Sequence, residues 1–162
     1  FDFYHFYGNS NSCLESPGWY RSEARVIKSS VRTYAPDGLF WLVLEGNKKG
    51  RYPKAKKVGA HCYHYGWVRS EEQMNLKSHK VQKYWGKSAI KIDYSQIDQS
   101  IIKKFTGTHP HCVLNWLPKE KGVYEADANY QLNTKQKKHR RMIKLELLFG
   151  LELSKKHYKL IK

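Results

Sequence analysis

The chain opens on a strict alternation. In FDFYHFYG, Phe1, Phe3, His5 and Tyr7 fall on one side of an extended backbone and Asp2, Tyr4 and Phe6 on the other, which predicts a strand ending at Gly8. GNSNS then reads as a polar loop and SPGW as a turn. WYRSEARVIKSS carries two periods at once: Tyr20, Glu23 and Ile27 at helical spacing, or Arg21, Glu23, Arg25 and Ile27 on one face of a strand. We read ARVIKS as the strand and WYRSE as the lead into it. In APDG, Pro36 presets φ and Gly38 releases it, so a turn follows. LFWLVLEG is a short buried strand, NKKGRYPKAKK a basic loop and VGAHCYHYG the next strand.

Helical periods take over at residue 70. In SEEQMNLKSHKVQKYWG, Ser70 is the N-cap and Gln73 completes a capping box. Met74, Lys77, Val81 and Tyr84 recur at helical spacing, with Leu76 and Trp85 beside them, and Gly86 stops the helix. YSQIDQSIIKKFTG predicts a second helix, THPHCVLNWLP a proline-punctuated connection, and KKHRRMIKLELLFG a third helix. The third helix's apolar stripe is Met142, Leu145, Leu148 and Phe149, and Gly150 ends it. The pattern holds no repeats. It predicts an α/β chain, with a mixed sheet in the first half and a helical C-terminal region.

The 162 residues suit one compact domain or a large piece of one. A chain of that size buries roughly 70% of its unfolded surface and needs no disulfide. Beginning at Phe1, without an initiator methionine or a charged leader, it reads as a fragment whose natural N-terminus lies upstream. The three cysteines, Cys13, Cys62 and Cys112, are odd in number and widely spaced. They favour a reducing compartment over a disulfide framework, and no pair has zinc-knuckle spacing. No apolar run approaches the ~20 residues of a membrane span.

Charge changes the picture most. The net charge of +16 fits nucleic acid, a phospholipid surface or a diphosphate-bearing substrate. Thr134 to Lys162 hold eight Lys and two Arg against two Glu, half of the total. A solvated basic helix accounts for that run more simply than a single-strand groove does. Such a groove interleaves cations with aromatic platforms, and here the aromatics lie mostly in the first half.

The candidate chemistry centres on HCYHYGWVRSEEQ, residues 61–73. Alternation sets Cys62 and His64 on one face and His61, Tyr63 and Tyr65 on the other, so a zinc site built from His61, Cys62 and His64 together is awkward. HPHC at 109–112 could add ligands only from an unfixed distance. A single histidine at a strand end, beside Gly66, could reach a divalent ion held chiefly by a substrate phosphate and a carboxylate. A core histidine bonded to backbone is the plainer alternative. Arg69 precedes a helix start and could pair with a phosphate there. Otherwise Glu71 and Glu72 satisfy that helix end and Arg69 pairs with one of them. Arg21 and Arg25 flank Glu23, either as a structural charge pair or as substrate contacts, with the face of Trp19 suited to a sugar. Asp37 is a turn-forming residue or a general base. Asp93, Asp98 and Asp127 read as ordinary surface acids.

The order HFYG, WYRSEARVIKS, GLFW, YHYGWVRSEEQM and FTGTHP resembles the C-terminal half of family-two-like bacterial glycosyltransferases with a GT-A fold. Members carry an HFYG strand, a WYRxEVRIIR segment, a DAQGF-like loop, a YHYGWVRxPxxM junction and an FTGTHP segment. The likeness covers residues 1 to about 112 well and the tail loosely. It implies residues 1–92 as the C-terminal part of a catalytic domain and 93–162 as a helical, basic extension of it. It implies transfer of a sugar from a nucleotide-sugar donor to a hydroxyl acceptor such as a glycan, in cell-surface glycan synthesis.

By position, His64 becomes a ligand to Mn or Mg shared with upstream residues, Arg69 a diphosphate contact and Asp37 the base. Arg21 and Arg25 line the site, Trp19 and Tyr20 lie near the acceptor, and His5, Tyr7 and Trp67 join the substrate-binding residues. The loop reads YAPDGLF, one place later than DAQGF, and Ser70-Glu71 stands where proline is common. Neither a Gly-rich nucleotide-binding unit nor a DxD occurs in these residues, so the 162-residue piece by itself is expected to be inactive. The implied location is cytoplasmic, peripheral to the inner face of the membrane through the basic tail. A nucleic-acid-binding module and a catalytically inactive transferase-like scaffold are the alternatives.

Overall fold

A computed structural model gives the fold. It describes all residues except 37, 39, 47, 48, 86–90, 120, 121 and 162 and the side chains of 83–85. The chain is mixed α/β. Its main sheet has four strands: β1 (Asp2–Tyr7), β2 (Asn9–Leu14), β6 (His61–Trp67) and β7 (Ile102–Lys104), in the order β6-β1-β2-β7. β1 runs parallel to β6 and antiparallel to β2, which is antiparallel to β7. Two short pairs flank it: β3 (Thr33–Tyr34) with β4 (Leu42–Val43), and β5 (Lys54–Ala55) with β8 (Lys159–Leu160). The helices are α1 (Glu71–Trp85) and α2 (Thr134–Phe149). Among the described residues no helix is long and apolar enough to cross a membrane.

The alternation of β1 divides the sheet as its pattern predicts. Tyr4 and Phe6 pack on one face with Tyr63, Tyr65 and Phe105; Phe6 is wholly buried and stacks on Tyr65 at 4.6 Å. Such ring pairs contribute about 0.5–1.5 kcal/mol each beyond their buried area. Phe3 and His5 face the other way, against Trp19 and Tyr20. Strict alternation along β6 fails at one point. The β1–β6 register runs Asp2↔His61 to His5↔His64 and then jumps to Tyr7↔Trp67, so β6 carries one extra residue at Tyr65-Gly66. The bulge turns Trp67 onto the face of His64, where it packs on Tyr7 and Trp19.

Several expected elements are replaced. The polar stretch after Gly8 is β2, not a loop. Its polar side chains are satisfied internally: Ser12 Oγ donates to Asn9 Oδ1 at 2.9 Å and accepts the Tyr124 N–H at 2.6 Å. ARVIKS forms no strand; Ser22, just before it, makes a single bridge to Asp2. Among its described residues, LFWLVLEG contributes only the two of β4. The second expected helix is a short 3-10 turn, Gln99–Ile101, running straight into β7. Asp93 and Asp98 accept the N–H groups of Ser95 and Ser100, a local bond that competes with the helix, while Ile102 finds a partner in Leu14. Residues 93–162 therefore supply two strands as well as a helix.

Ser70 caps α1 as expected, accepting the Gln73 N–H at 3.3 Å; Gly86 lies outside the described residues. α2 starts earlier than expected, behind an Asn133/Gln136 capping box, and ends at Gly150 with φ 62°, where glycine is at ease. Its expected apolar stripe faces outward: Leu145, Leu148 and Phe149 are 46%, 73% and 62% exposed. The helix is held by Ile143, which packs against the core, and by charge. Arg21 grips the buried Glu146 through two bonds of 2.9 and 2.7 Å, and Arg140 grips Asp98 at 2.8 and 2.6 Å. Asp98 is thus a buried anchor, not a surface acid. Beyond α2, Tyr158 bonds Ser22 at 2.6 Å and His157 pairs with the buried Glu23.

Candidate metal and anion site

The register His5↔His64 brings two imidazoles together across the parallel β1–β6 pair, with Nδ1 atoms 3.1 Å apart. The other nitrogen of His5, Nε2, lies 2.8 Å from the Tyr20 carbonyl. A carbonyl only accepts, so Nε2 of His5 carries the proton. Burial pushes the pKa of His5 down to about 4, so the ring holds one proton near neutral pH and its Nδ1 accepts. His64 must then donate from Nδ1. That tautomer leaves the Nε2 of His64 with a bare lone pair. His64 is itself held neutral by burial, then by the nearby cations Lys77 and Arg25.

Gly66 makes room for the His64 ring. A Cβ built on Gly66 would meet His64 Nε2 at 2.5 Å, so any larger residue would occupy the space the ring uses. The bulge and the absent side chain act together: one aims β6, the other leaves room for the ring. A neutral imidazole that donates its second N–H to a fixed acceptor is the usual form of a metal-ligating histidine. His64 therefore fits one position of a divalent ion's shell. Among the described residues no three His, Cys, Asp or Glu side chains gather to hold an ion by themselves, so the remaining ligands would have to come from elsewhere. The four-ligand cluster finds no support here. His109 is engaged by Tyr65 at 2.9 Å, and the three cysteines are free.

No family model matches the chain, and no curated protein or solved structure matches it.

The expected site residues divide into three groups. Trp19, Tyr20 and Arg25 gather around His5. Its ring lies 5.2 Å from Trp19 and 4.7 Å from Tyr20, and the Arg25 guanidinium sits 4.9 Å over Phe3 and donates to the Tyr20 hydroxyl at 3.3 Å. Arg25 also bears electrostatically on both histidines. A second group is structural. Tyr7 is buried and spends its hydroxyl on the Tyr94 carbonyl at 3.1 Å; Trp67 packs against it. Arg21 does not pair with Glu23 as a local charge pair; Glu146 takes it. The third group lies apart. Arg69 lines an open cleft of about 1020 Å³ at the start of α1, with Ser70, Lys77, Lys80 and Tyr94.

Arg69 forms no ion pair among the described residues, and Glu71 accepts the Tyr94 N–H at 2.8 Å instead of pairing with it. The buried Tyr94 hydroxyl has no hydrogen-bond partner among the described residues. Asp37, the expected base, lies outside the described residues. Lys77 escaped the sequence reading, though it lines the Arg69 cleft and also acts on His64, so it links the two places. No local signal marks it; an exposed lysine in mid-helix is ordinary.

Proposed function

We propose that this chain carries part of the site of a metal-dependent glycosyltransferase, which moves a sugar from a nucleotide-sugar to a hydroxyl acceptor. The observation that carries the reading is the relay Tyr20 carbonyl–His5–His64, which leaves the Nε2 of His64, beside Gly66, unprotonated. When bound, a divalent ion such as Mn or Mg neutralises the diphosphate that departs with the nucleotide. His64 would hold that ion through Nε2, and His5 keeps His64 in the right tautomer. Arg25 and Lys77 add positive charge on the same side, and Arg69 adds more in the cleft that Lys77 also lines. Trp19 offers an aromatic face to a sugar ring. Asp37 remains the candidate base through the resemblance of its loop.

The test is His64→Ala in the complete polypeptide, assayed with a panel of nucleotide-sugars and Mn²⁺ or Mg²⁺. Loss of metal-dependent transfer is expected, and unchanged activity and metal dependence would reject the ligand role. In the isolated 162 residues, Mn²⁺ should broaden the His64 ring resonances before those of His109. Turnover by the isolated chain would show that its site needs nothing more.

A further inference from the structure

The open cleft of about 1020 Å³ at the start of α1 lies at the far end of β1 from Phe1, where Gly8, Val68 and the first turn of α1 meet. Gly8 has φ 70°, and a Cβ built there would meet the Tyr124 ring at 2.3 Å. Glycine thus lets Tyr124 close over the end of the strand and join the lining. Gln73, Lys77 and Lys80 follow at i, i+4 and i+7, so one face of α1 forms a wall. Trp116 and Pro118 also line the cleft. The Trp116 ring rests on Tyr65, 5.9 Å between centroids, and is still 56% exposed. None of His5, His64, Trp19, Tyr20 and Arg25 lines this cleft.

The polar groups of the lining are chiefly donors. Arg69, Lys77 and Lys80 form no ion pair among the described residues. The one acid among the described lining residues is Glu71, whose Oε1 already accepts the Tyr94 N–H at 2.8 Å. Tyr94 is only 4% exposed, yet its hydroxyl has no hydrogen-bond partner among the described residues. That phenol acts electrostatically with Glu71, Tyr124 and Arg69, three residues of the same lining, so it is turned towards the cleft. A buried hydroxyl without a partner is destabilising, and an oxyanion seated between it and Arg69 would satisfy it.

We infer that this cleft binds an acidic sugar, with its carboxylate or phosphate among Arg69, Lys77 and the Tyr94 hydroxyl and its ring against Trp116. The cations gather beside one exposed tryptophan, whereas a nucleic-acid strand needs platforms repeated along a basic groove. The diphosphate proposed for His64 is a separate anion, because the relay takes no part in this lining. As the acceptor of the proposed transfer the ligand would be an acidic glycan. That last step rests on the transferase reading; the binding does not.

The probes are glucose 6-phosphate and glucuronate, with glucose and inorganic phosphate beside them, titrated into the 162-residue chain and followed by its amide and indole resonances. At least one acidic sugar should bind at a Kd of roughly 1 mM or tighter, shifting Ser70, Glu71 and the Trp116 indole, with glucose about tenfold weaker or more. Which of the two binds tells phosphate from carboxylate. Arg69→Gln, at an exposed position, should weaken binding about tenfold. Tyr94→Phe should weaken it about threefold and leave thermal stability equal or higher, since the hydroxyl removed had no partner. Trp116→Ala should weaken the acidic sugar and spare inorganic phosphate. No shift at these resonances with about 10 mM of either acidic sugar, glucose binding as tightly, or full binding by Arg69→Gln overturns the inference. So does uridine diphosphate with Mn²⁺ displacing the acidic sugar, since that gives the cleft to the donor. Binding without transfer by the complete polypeptide rejects only the transferase reading; His64-dependent transfer without binding rejects only the acidic ligand.

Discussion

His64 and His109 lie on opposite faces of the β1–β6 pair, and each belongs to a chain of hydrogen bonds anchored on a backbone carbonyl. On one face the order is Tyr20 carbonyl, His5, His64; on the other it is the Ser10 backbone, His109, Tyr65. Both histidines are pushed towards the neutral form by burial. They differ in how the chain ends. The Tyr65 phenol, its pKa raised to about 12, is a proton donor that closes its chain among Phe6 and Trp116. His64 ends its chain with an unprotonated nitrogen set close against Gly66. Burial and neutrality alone therefore do not mark a functional histidine. An unspent lone pair beside positive charge is what sets His64 apart from His109.

That contrast can be broken most directly at the two chain ends. His64→Ala in the complete polypeptide should lower metal-dependent transfer by about 100-fold or more, since a ligand is lost outright. Tyr65→Phe should leave it unchanged, and equal losses would erase the distinction between the faces.

Acid is the next probe. The pKa of His5 is depressed in the fold from 6.5 to about 4, so the unfolded chain takes up the proton first. The stability from neutral His5 is complete above pH 6.5 and drains away as pH falls towards 4, by roughly 3 kcal/mol at the lower end. Urea unfolding across that range should show this slope, and His5→Asn should flatten much of it. Equal slopes in the two proteins would remove the buried relay.

Gly66→Ala is gentler. Its methyl group displaces the His64 ring, and Mn²⁺-dependent activity should fall about tenfold, with far-ultraviolet circular dichroism preserved. Wild-type activity would mean that the nitrogen is not positioned by this space. The smallest effect belongs to the closed chain. Tyr65→Phe forfeits one hydrogen bond, about 1 kcal/mol in a thermal or urea melt.

The parts of the fold legible in the sequence are those with local causes. β1, β6 and α1 follow from alternation and from the Ser70 cap, which need only neighbouring residues. β2 was hidden because its polarity is neutralised by a partner more than a hundred residues away, the Tyr124 N–H. α2 was legible as a helix but not in orientation, because Ile143 and the pairs Arg21–Glu146 and Arg140–Asp98 hold its inner side, not the expected stripe. At the site, motif order pointed to His64 and strand alternation gave its face. The partner of His64 and its tautomer depend on the β1–β6 register, and the place of Trp67 depends on a bulge. No single segment encodes either.

The contacts of His157 and Tyr158 have a consequence for how the protein is made. Ser22 and Glu23 are buried, and they find Tyr158 and His157 across 136 and 134 residues of sequence. During synthesis the first half emerges long before those partners exist, so Glu23 must stay hydrated or find a temporary companion. Loop closure over that distance is slow compared with local helix formation. Residues 22 and 23 thus settle only after residues 157 and 158 have been translated.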